Sequence, residues 1–271
     1  MIIAFSWIKG DKENSVTGLV MKDRRSGSVC AHVCPKKGVG GGWIVKQFVR
    51  DIKKMGYQAK VTLRSDGEPA IKDLLDKVGQ MRGAETILEQ SKVGDSKANG
   101  RAERAIQAVE KLVRTLKIAT EKSLGTRLSV KHQCFAWLVM HAADVITKCQ
   151  VHKDGRTGYE NIKSREYSGL MLKFGTSVLH KVEVKVQGGV MEPRWMKGVW
   201  LGKRFGTEEH IVTMDGKVVR SPAVKVHPEG EFDADLFMDV KGVPWDPSGE
   251  RGETADGDAV EVPGTFRGNL P

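Results

Sequence analysis

The sequence predicts an α/β fold, a mixed sheet flanked by helices, followed by a small all-β module and an acidic tail. Three observations carry this. Residues 1–9, 15–23 and 28–35 are strand-like runs separated by short polar turns, an antiparallel start. Between 43 and 148, apolar residues recur alternately at helical and strand spacing. From Ser177 the pattern becomes strict alternation, with Val178, His180, Val182, Val184 and Val186 as its first run.

Each element has its own local warrant. The glycine cluster at 38–42 reads as a hinge before a helix near 43–55, whose face carries Trp43, Ile44, Phe48, Val49 and Ile52. It is not a phosphate-binding loop, because no Gly-Lys-Ser/Thr follows. A strand at 59–65, a helix near 68–81 and a short strand at 85–89 come next. Residues 91–98 are polar and expected to be mobile. Ala102, Ala105, Ile106, Val109, Leu112, Val113 and Leu116 then form one apolar stripe on a long helix reaching about 121. A further helix near 129–148 carries Phe135, Trp137, Leu138, Met140 and Val145. The later alternation implies about five short strands, with Trp195 and Trp200 in their small core. The expected division is 1–165, 166–227 and a tail at 228–271, where apolar content falls and disorder is expected.

Charge is unevenly distributed. Net charge is +10, but residues 228–271 hold 11 acids against 3 bases, leaving +18 on residues 1–227. A basic body of this kind points to a polyanion, nucleic acid first. The acidic tail is expected to compete for the same basic surface. Four cysteines in 271 residues do not make a disulfide framework, and a reducing compartment fits. No run approaches the ~20 apolar residues of a membrane helix, and no signal peptide is evident. The expected location is intracellular, nucleus or cytoplasm. Met1-Ile2-Ile3-Ala4-Phe5 opens directly on a strand-like run, as expected of a segment cut from something longer.

Two carboxylates stand out. Asp66 ends the strand at 59–65 within Leu63-Arg64-Ser65-Asp66-Gly67-Glu68. Glu103 lies in Asn99-Gly100-Arg101-Ala102-Glu103-Arg104, on the side of its helix away from the apolar stripe. A strand-end aspartate and a helix glutamate can converge in an α/β fold, and hard divalent cations want such an oxygen cluster. The bland readings are a turn aspartate beside glycine and an acid favoured by the helix dipole, worth ~0.3–1 kcal/mol.

Arg64-Ser65-Asp66-Gly67-Glu68-Pro69 and Asn99-Gly100-Arg101-Ala102-Glu103-Arg104, 36 residues apart between the acids, resemble the last two acids of a retroviral-type integrase core. Gly155-Arg156-Thr157-Gly158-Tyr159-Glu160, Phe174-Gly175 and Gly198-Val199-Trp200-Leu201-Gly202-Lys203 extend the resemblance across roughly 1–227, most closely to the integrase segments of copia-type LTR retrotransposon polyproteins. The resemblance implies an RNase H-like core, DNA as partner, homo-oligomers, and two Mg²⁺ or Mn²⁺ ions held by two aspartates and a glutamate. Asp66 and Glu103 would be the second and third of these. Arg64, Lys97, Arg101, Arg104, Lys111, Arg114 and Lys117 would contact flanking phosphates.

One part of that pattern is missing. Aligning Gly10 with the family's glycine after the first strand puts Phe5 where the first aspartate should stand. Without the bridging carboxylate a two-metal mechanism should collapse, so the chain is expected to be inactive as written. Rival readings are a non-catalytic DNA-binding or scaffold protein and a ribonuclease H proper, which would need further acids on the early strands. Cys30, His32 and Cys34 share a strand face, but i and i+2 neighbours stand about 6.6–6.8 Å apart. Half-buried strand residues are expected there rather than a zinc site.

Overall fold

The computed structural model describes residues 1–9, 15–35, 42–65, 68–90, 96–182, 193–228 and 232–250. Strands β1 (Ile2–Lys9), β2 (Ser15–Lys22) and β3 (Val29–Cys34) form an antiparallel meander, with Phe5 opposite Leu19 and Leu19 opposite His32. Helix α1 (Trp43–Lys54) leads to β4 (Val61–Ser65), which lies parallel to β1 with Ile2 beside Arg64. Helix α2 (Pro69–Arg82) has proline in its first turn and ends at Gly83, whose φ of 64° suits a left-handed C-cap. It returns the chain to β5 (Thr86–Gln90), parallel to β4. The sheet order is therefore β3-β2-β1-β4-β5, the expected RNase H-like mixed sheet.

Helices cover both faces. Ile3, Leu19, Met21, Cys30 and Cys34 pack with α1 and α2 in one core. Ile8, Val20, Ala31 and Val33 pack on the other side with α3 (Ser96–Leu124) and α4 (Gln133–Cys149). The predicted stripe on α3 faces this second core, where Ala105, Val109 and Val113 are buried. Helix α3 begins at Ser96, so the last residues of the segment expected to be mobile are helical; 91–95 lie outside the described residues, as do 38–41 of the glycine cluster. Cys30, His32 and Cys34 do share one buried face. There His32 Nε2 meets Asp51 Oδ2 at 2.6 Å, while Cys30 and Cys34 join the apolar core.

The Gly155–Glu160 motif makes a turn and a capping box. Thr157 and Glu160 each satisfy the other's backbone N–H at the start of the short helix α5 (Gly158–Lys163). The β module follows as an antiparallel sheet of five strands: β6 (Ser177–Lys181), β7 (Trp195–Lys203), β8 (His210–Met214), β9 (Lys217–Ser221) and β10 (Val224–Val226), in the order β10-β6-β7-β8-β9. Trp200 fills its core with Val178, Val212 and Val219. Trp195 does not join that core; it is half-buried beneath the Lys225 ammonium, 4.6 Å from the ring centroid.

Helix α4 packs on β7, where Trp200 meets two histidines, His141 of α4 and His210 of β8. His141 lies edge-on to Trp200, and Trp200 Nε1 donates to His210 Nδ1 at 3.0 Å. Gly202 sits over His141 with φ 126°; a Cβ there would come within 3.2 Å of His141 Nδ1. Burial, assisted by Lys148, lowers the His141 pKa to about 4; burial, assisted by Lys203, lowers that of His210 to about 4. Both histidines fold neutral while the unfolded chain binds protons near pH 6.5, so the unfolded state carries more protons in this window. Stability should therefore be complete above about pH 6.5 and decline as pH falls toward 4, by up to about 3 kcal/mol for His141. Thermal melts from pH 7.5 to 4.5 should show the decline, and His141→Gln should flatten it. An unchanged slope in that variant would remove His141 from the account.

The tail departs from expectation. Residues 232–250 form α6 (Ala234–Met238) and an ordered strap against α4, α1 and the β module. Phe237 is fully buried, Trp137 Nε1 donates to the Gly242 carbonyl at 2.8 Å, and Trp245 packs edge-on against Trp43. Asp233 pairs with Lys197 and Glu250 with Lys217, so part of the acidic charge is already matched by the module's own lysines. Average composition missed this because a few apolar anchors, Phe237, Val240 and Trp245, fit a groove that exists only after folding. Phe237→Ala should cost about 3–5 kcal/mol, a fall in Tm of roughly 10 °C for a chain of this size. A change under 2 °C in a thermal melt would contradict the burial. Residues 251–271 lie outside the described residues.

Candidate nucleic-acid interface

Helix α3 runs alongside β1, and the two faces of that strand meet different helices. Ile2 lines one cleft with Arg101, Arg104 and Gln107, and Ile8 lines another with Glu110, Val113 and Arg114. Strand alternation therefore turns Ile2, Ala4 and Ile8 toward α3. Phe5 points the other way, packing with Met1 and Ile3 against the α1–α2 core. Position 5 is thus on the side of the sheet away from α3, whereas Ala4 next to it faces α3.

Glu103 is exposed on α3, in register at seven-residue spacing with Glu110 and Lys117. Asp66 lies outside the described residues, so its expected approach to Glu103 does too. Among the described residues, no group of three or more His, Cys, Asp or Glu could hold a metal ion. Ile2, Ala4 and Ile8, the described side chains on the α3 side of β1, present no ligand atom. The described residues do not fit a two-ion cage.

Asp23 belongs to the β2–β3 turn. It is 2% exposed, and its carboxylate accepts from Ser26 N at 2.9 Å, Ser26 Oγ at 2.7 Å and Tyr57 Oη at 2.8 Å. Those bonds shape the β2–β3 turn. Burial and the bond to Asp23 push the Tyr57 hydroxyl up to about 12.

The predicted cations divide into groups. Arg101, Arg104 and Lys111 converge on a cleft of about 950 Å³ with Lys22, Arg24, Arg25 and Lys153, which sequence reasoning missed. The basic turn run Lys22-Asp23-Arg24-Arg25 was the available signal. Lys22 feels the crowding: burial, then the Arg104 charge, lowers its pKa. Lys22, Arg24, Arg101, Arg104, Lys111 and Lys153 form no ion pair with a described residue. Of the cleft's acids, Asp23 is consumed by its turn, and Asp154 accepts from Arg156 N and Asn161 Nδ2. Gly27 (φ 78°) lets the turn close on His152; a Cβ there would stand 2.3 Å from His152 Nε2.

The remaining candidates lie elsewhere. Arg114 and Lys117 line the smaller cleft beside Ile8, and Lys117 pairs with Glu121. Arg64 is held by Glu89 through Nη2 at 2.7 Å and Nε at 3.1 Å. Lys97 is in the first turns of α3, and its side chain is outside the described set.

No family model and no curated protein matches the sequence. Among solved structures, the chain is similar to the HTLV-2 integrase catalytic core domain in complex with magnesium, with 13% identity and a TM-score of 0.44 over 59% of this chain and 93% of that one. It is also similar to a chain of the simian T-cell lymphotropic virus intasome in complex with PP2A regulatory subunit B56 gamma, with 11% identity and a TM-score of 0.45 over 83% and 77%. A third likeness is to the catalytic core domain of BIV integrase, with 18% identity and a TM-score of 0.39 over 60% and 93%. These are partial superpositions, and the fold assignment stands on the strand order and the two helix layers. Among the described residues, no helix is long and apolar enough to cross a membrane.

Proposed function

We propose that this chain is an integrase-type DNA-binding protein, of the copia-type retrotransposon class, that does not join DNA ends. The observation that carries it is the cleft in which six cations face one another without carboxylate partners among the described residues. Like charges gathered this way repel unless a polyanion occupies the space, and a duplex phosphate backbone supplies evenly spaced negative charge. The contacts are to phosphate, so the affinity is sequence-neutral and salt-dependent.

The motifs around Asp66 and Glu103 support the class. They also imply Mg²⁺ or Mn²⁺ and a multimeric active form, which enter here as part of the same reading. Asp66 and Glu103 would be the ligands of a single ion, which would lend Lewis acidity to a phosphate oxygen. Apolar Ile2, Ala4 and Ile8 on the facing strand favour a DNA-binding role over an end-joining one.

The test uses the full chain in two assays. Fluorescence anisotropy with an arbitrary duplex should show binding that weakens about 10³-fold between 50 and 200 mM salt if six phosphates are contacted. A strand-transfer assay with Mn²⁺ should show no joined product. Salt-independent binding would overturn the cleft's role, and robust joining by the unaltered chain would overturn the non-catalytic reading.

A further inference from the structure

A second cavity, sharing no residue with the cationic cleft, opens where α1, α4 and the β module meet. It measures about 230 Å³. Phe205, half-buried, contributes an apolar wall with Trp43 and Trp137 buried behind it, and Arg50, Lys53 and Lys54 stand along α1 beside it. Neither Arg50, Lys53 nor Lys54 forms an ion pair with a described residue. Arg204 and Arg220 also line it, but both are drawn to Glu209, at 3.0 and 3.4 Å.

The cavity's polarity orients what could enter. Asp51 is 1% exposed, and its carboxylate is satisfied by His32 Nε2 at 2.6 Å and Gln47 Nε2 at 3.0 Å. A buried carboxylate on the inner wall repels an anion from the interior, whereas Lys53 and Lys54, both exposed, attract one at the mouth. A neutral planar ring inside and a phosphate at the mouth satisfy both demands. At about 230 Å³ the cavity is smaller than a drug-sized ligand site, so only part of a ligand enters and the rest stays at the mouth. Aromatic side chains accept any nucleobase by stacking, and the adjacent cations add charge attraction.

We propose that this pocket binds a single nucleotide, its base against Phe205 and its phosphate at Arg50, Lys53 and Lys54. Two sources share that chemistry, a free mononucleotide and the 5′-phosphorylated end of a single strand. The pocket is independent of the duplex cleft, since the two share no side chain.

Calorimetry on the full chain with 5′-AMP, and separately with a 5′-phosphorylated single-stranded octanucleotide, tests the proposal. Saturable binding in either arm is expected. Tighter binding of AMP would identify the free nucleotide as the ligand, and tighter binding of the octamer the strand end. Arg50→Glu with Lys54→Glu should weaken binding at least about tenfold by reversing two charges at the mouth. Phe205→Leu keeps an apolar side chain but loses the ring, and should weaken it about tenfold. Adenosine, which lacks phosphate, should bind more weakly than AMP and be indifferent to the charge reversals. Arg101→Glu with Arg104→Glu should leave AMP binding unchanged, which separates this site from the duplex cleft. No saturable binding in either arm at millimolar ligand, or equal binding by the Arg50/Lys54 variant at unchanged Tm, overturns the proposal.

Discussion

Replacing Arg101, Arg104 and Lys111 together by glutamate is expected to abolish measurable duplex binding at 150 mM salt while leaving the melting temperature unchanged. Arg101, Arg104 and Lys111 are exposed on one flank of α3 and reach the same cleft as Lys22, Arg24 and Lys153. Each phosphate contact removed should lower the slope of log K against log salt by about 1. The reversals also place three anions where a polyanion must lie, so the loss should exceed that of alanine at the same sites. Arg114→Glu should have a smaller effect, because that residue lines a different cleft. Anisotropy across a salt series measures all of this. Equal losses from Arg114→Glu and the triple variant would mean that the whole helix is merely a solvated basic face.

Placing an acid on the first strand is expected to create a cation ligand at position 4 and fail to do so at position 5. Phe5 packs toward the α1–α2 core, so Phe5→Asp places a carboxylate against Met1, Ile3 and their neighbours. A poorly partnered, half-buried acid there should cost about 2 kcal/mol, or roughly 4–8 °C in Tm. It should gain no Mn²⁺ affinity, because Glu103 belongs to the helix on the opposite face. Ala4 faces α3, and Ala4→Asp adds a carboxylate to the side that carries Glu103. Its Mn²⁺ affinity should rise about tenfold, equivalent to ~1.4 kcal/mol. Calorimetric titration with Mn²⁺, alongside thermal melts, decides between the positions. A gain in Mn²⁺ affinity from Phe5→Asp, with Ala4→Asp inert, would reverse the assignment of faces.

The amino-acid sequence by itself determined the succession of strands and helices. Hydrophobic periodicity is a local property: alternation around Val20 and Ala31 writes a strand, and the Ala105–Val109–Val113 spacing writes a helix face, whatever the rest of the chain does. The words around Asp66 and Glu103 are read in the same local way, and the site they suggest stays a proposal because Asp66 lies outside the described residues. The tertiary structure alone decided where each side chain stands relative to distant ones. Phe5 and Ala4 are adjacent in sequence yet on opposite faces of the sheet. Pairing with β2 and β4, and the layer each helix chose, settle which face meets Glu103. Arg104 and Arg114 lie on one helix, yet they line different clefts, because ten residues carry a side chain about 15 Å along the axis of α3. Lys22 and Lys153 join Arg104 only because the β2–β3 turn and the chain after α4 meet at one end of the sheet. The acidic segment looked too polar to fold, and by composition it is. Phe237 finds its place only in a groove made by α4 and the β module, a partner that no local reading of residues 232–250 contains.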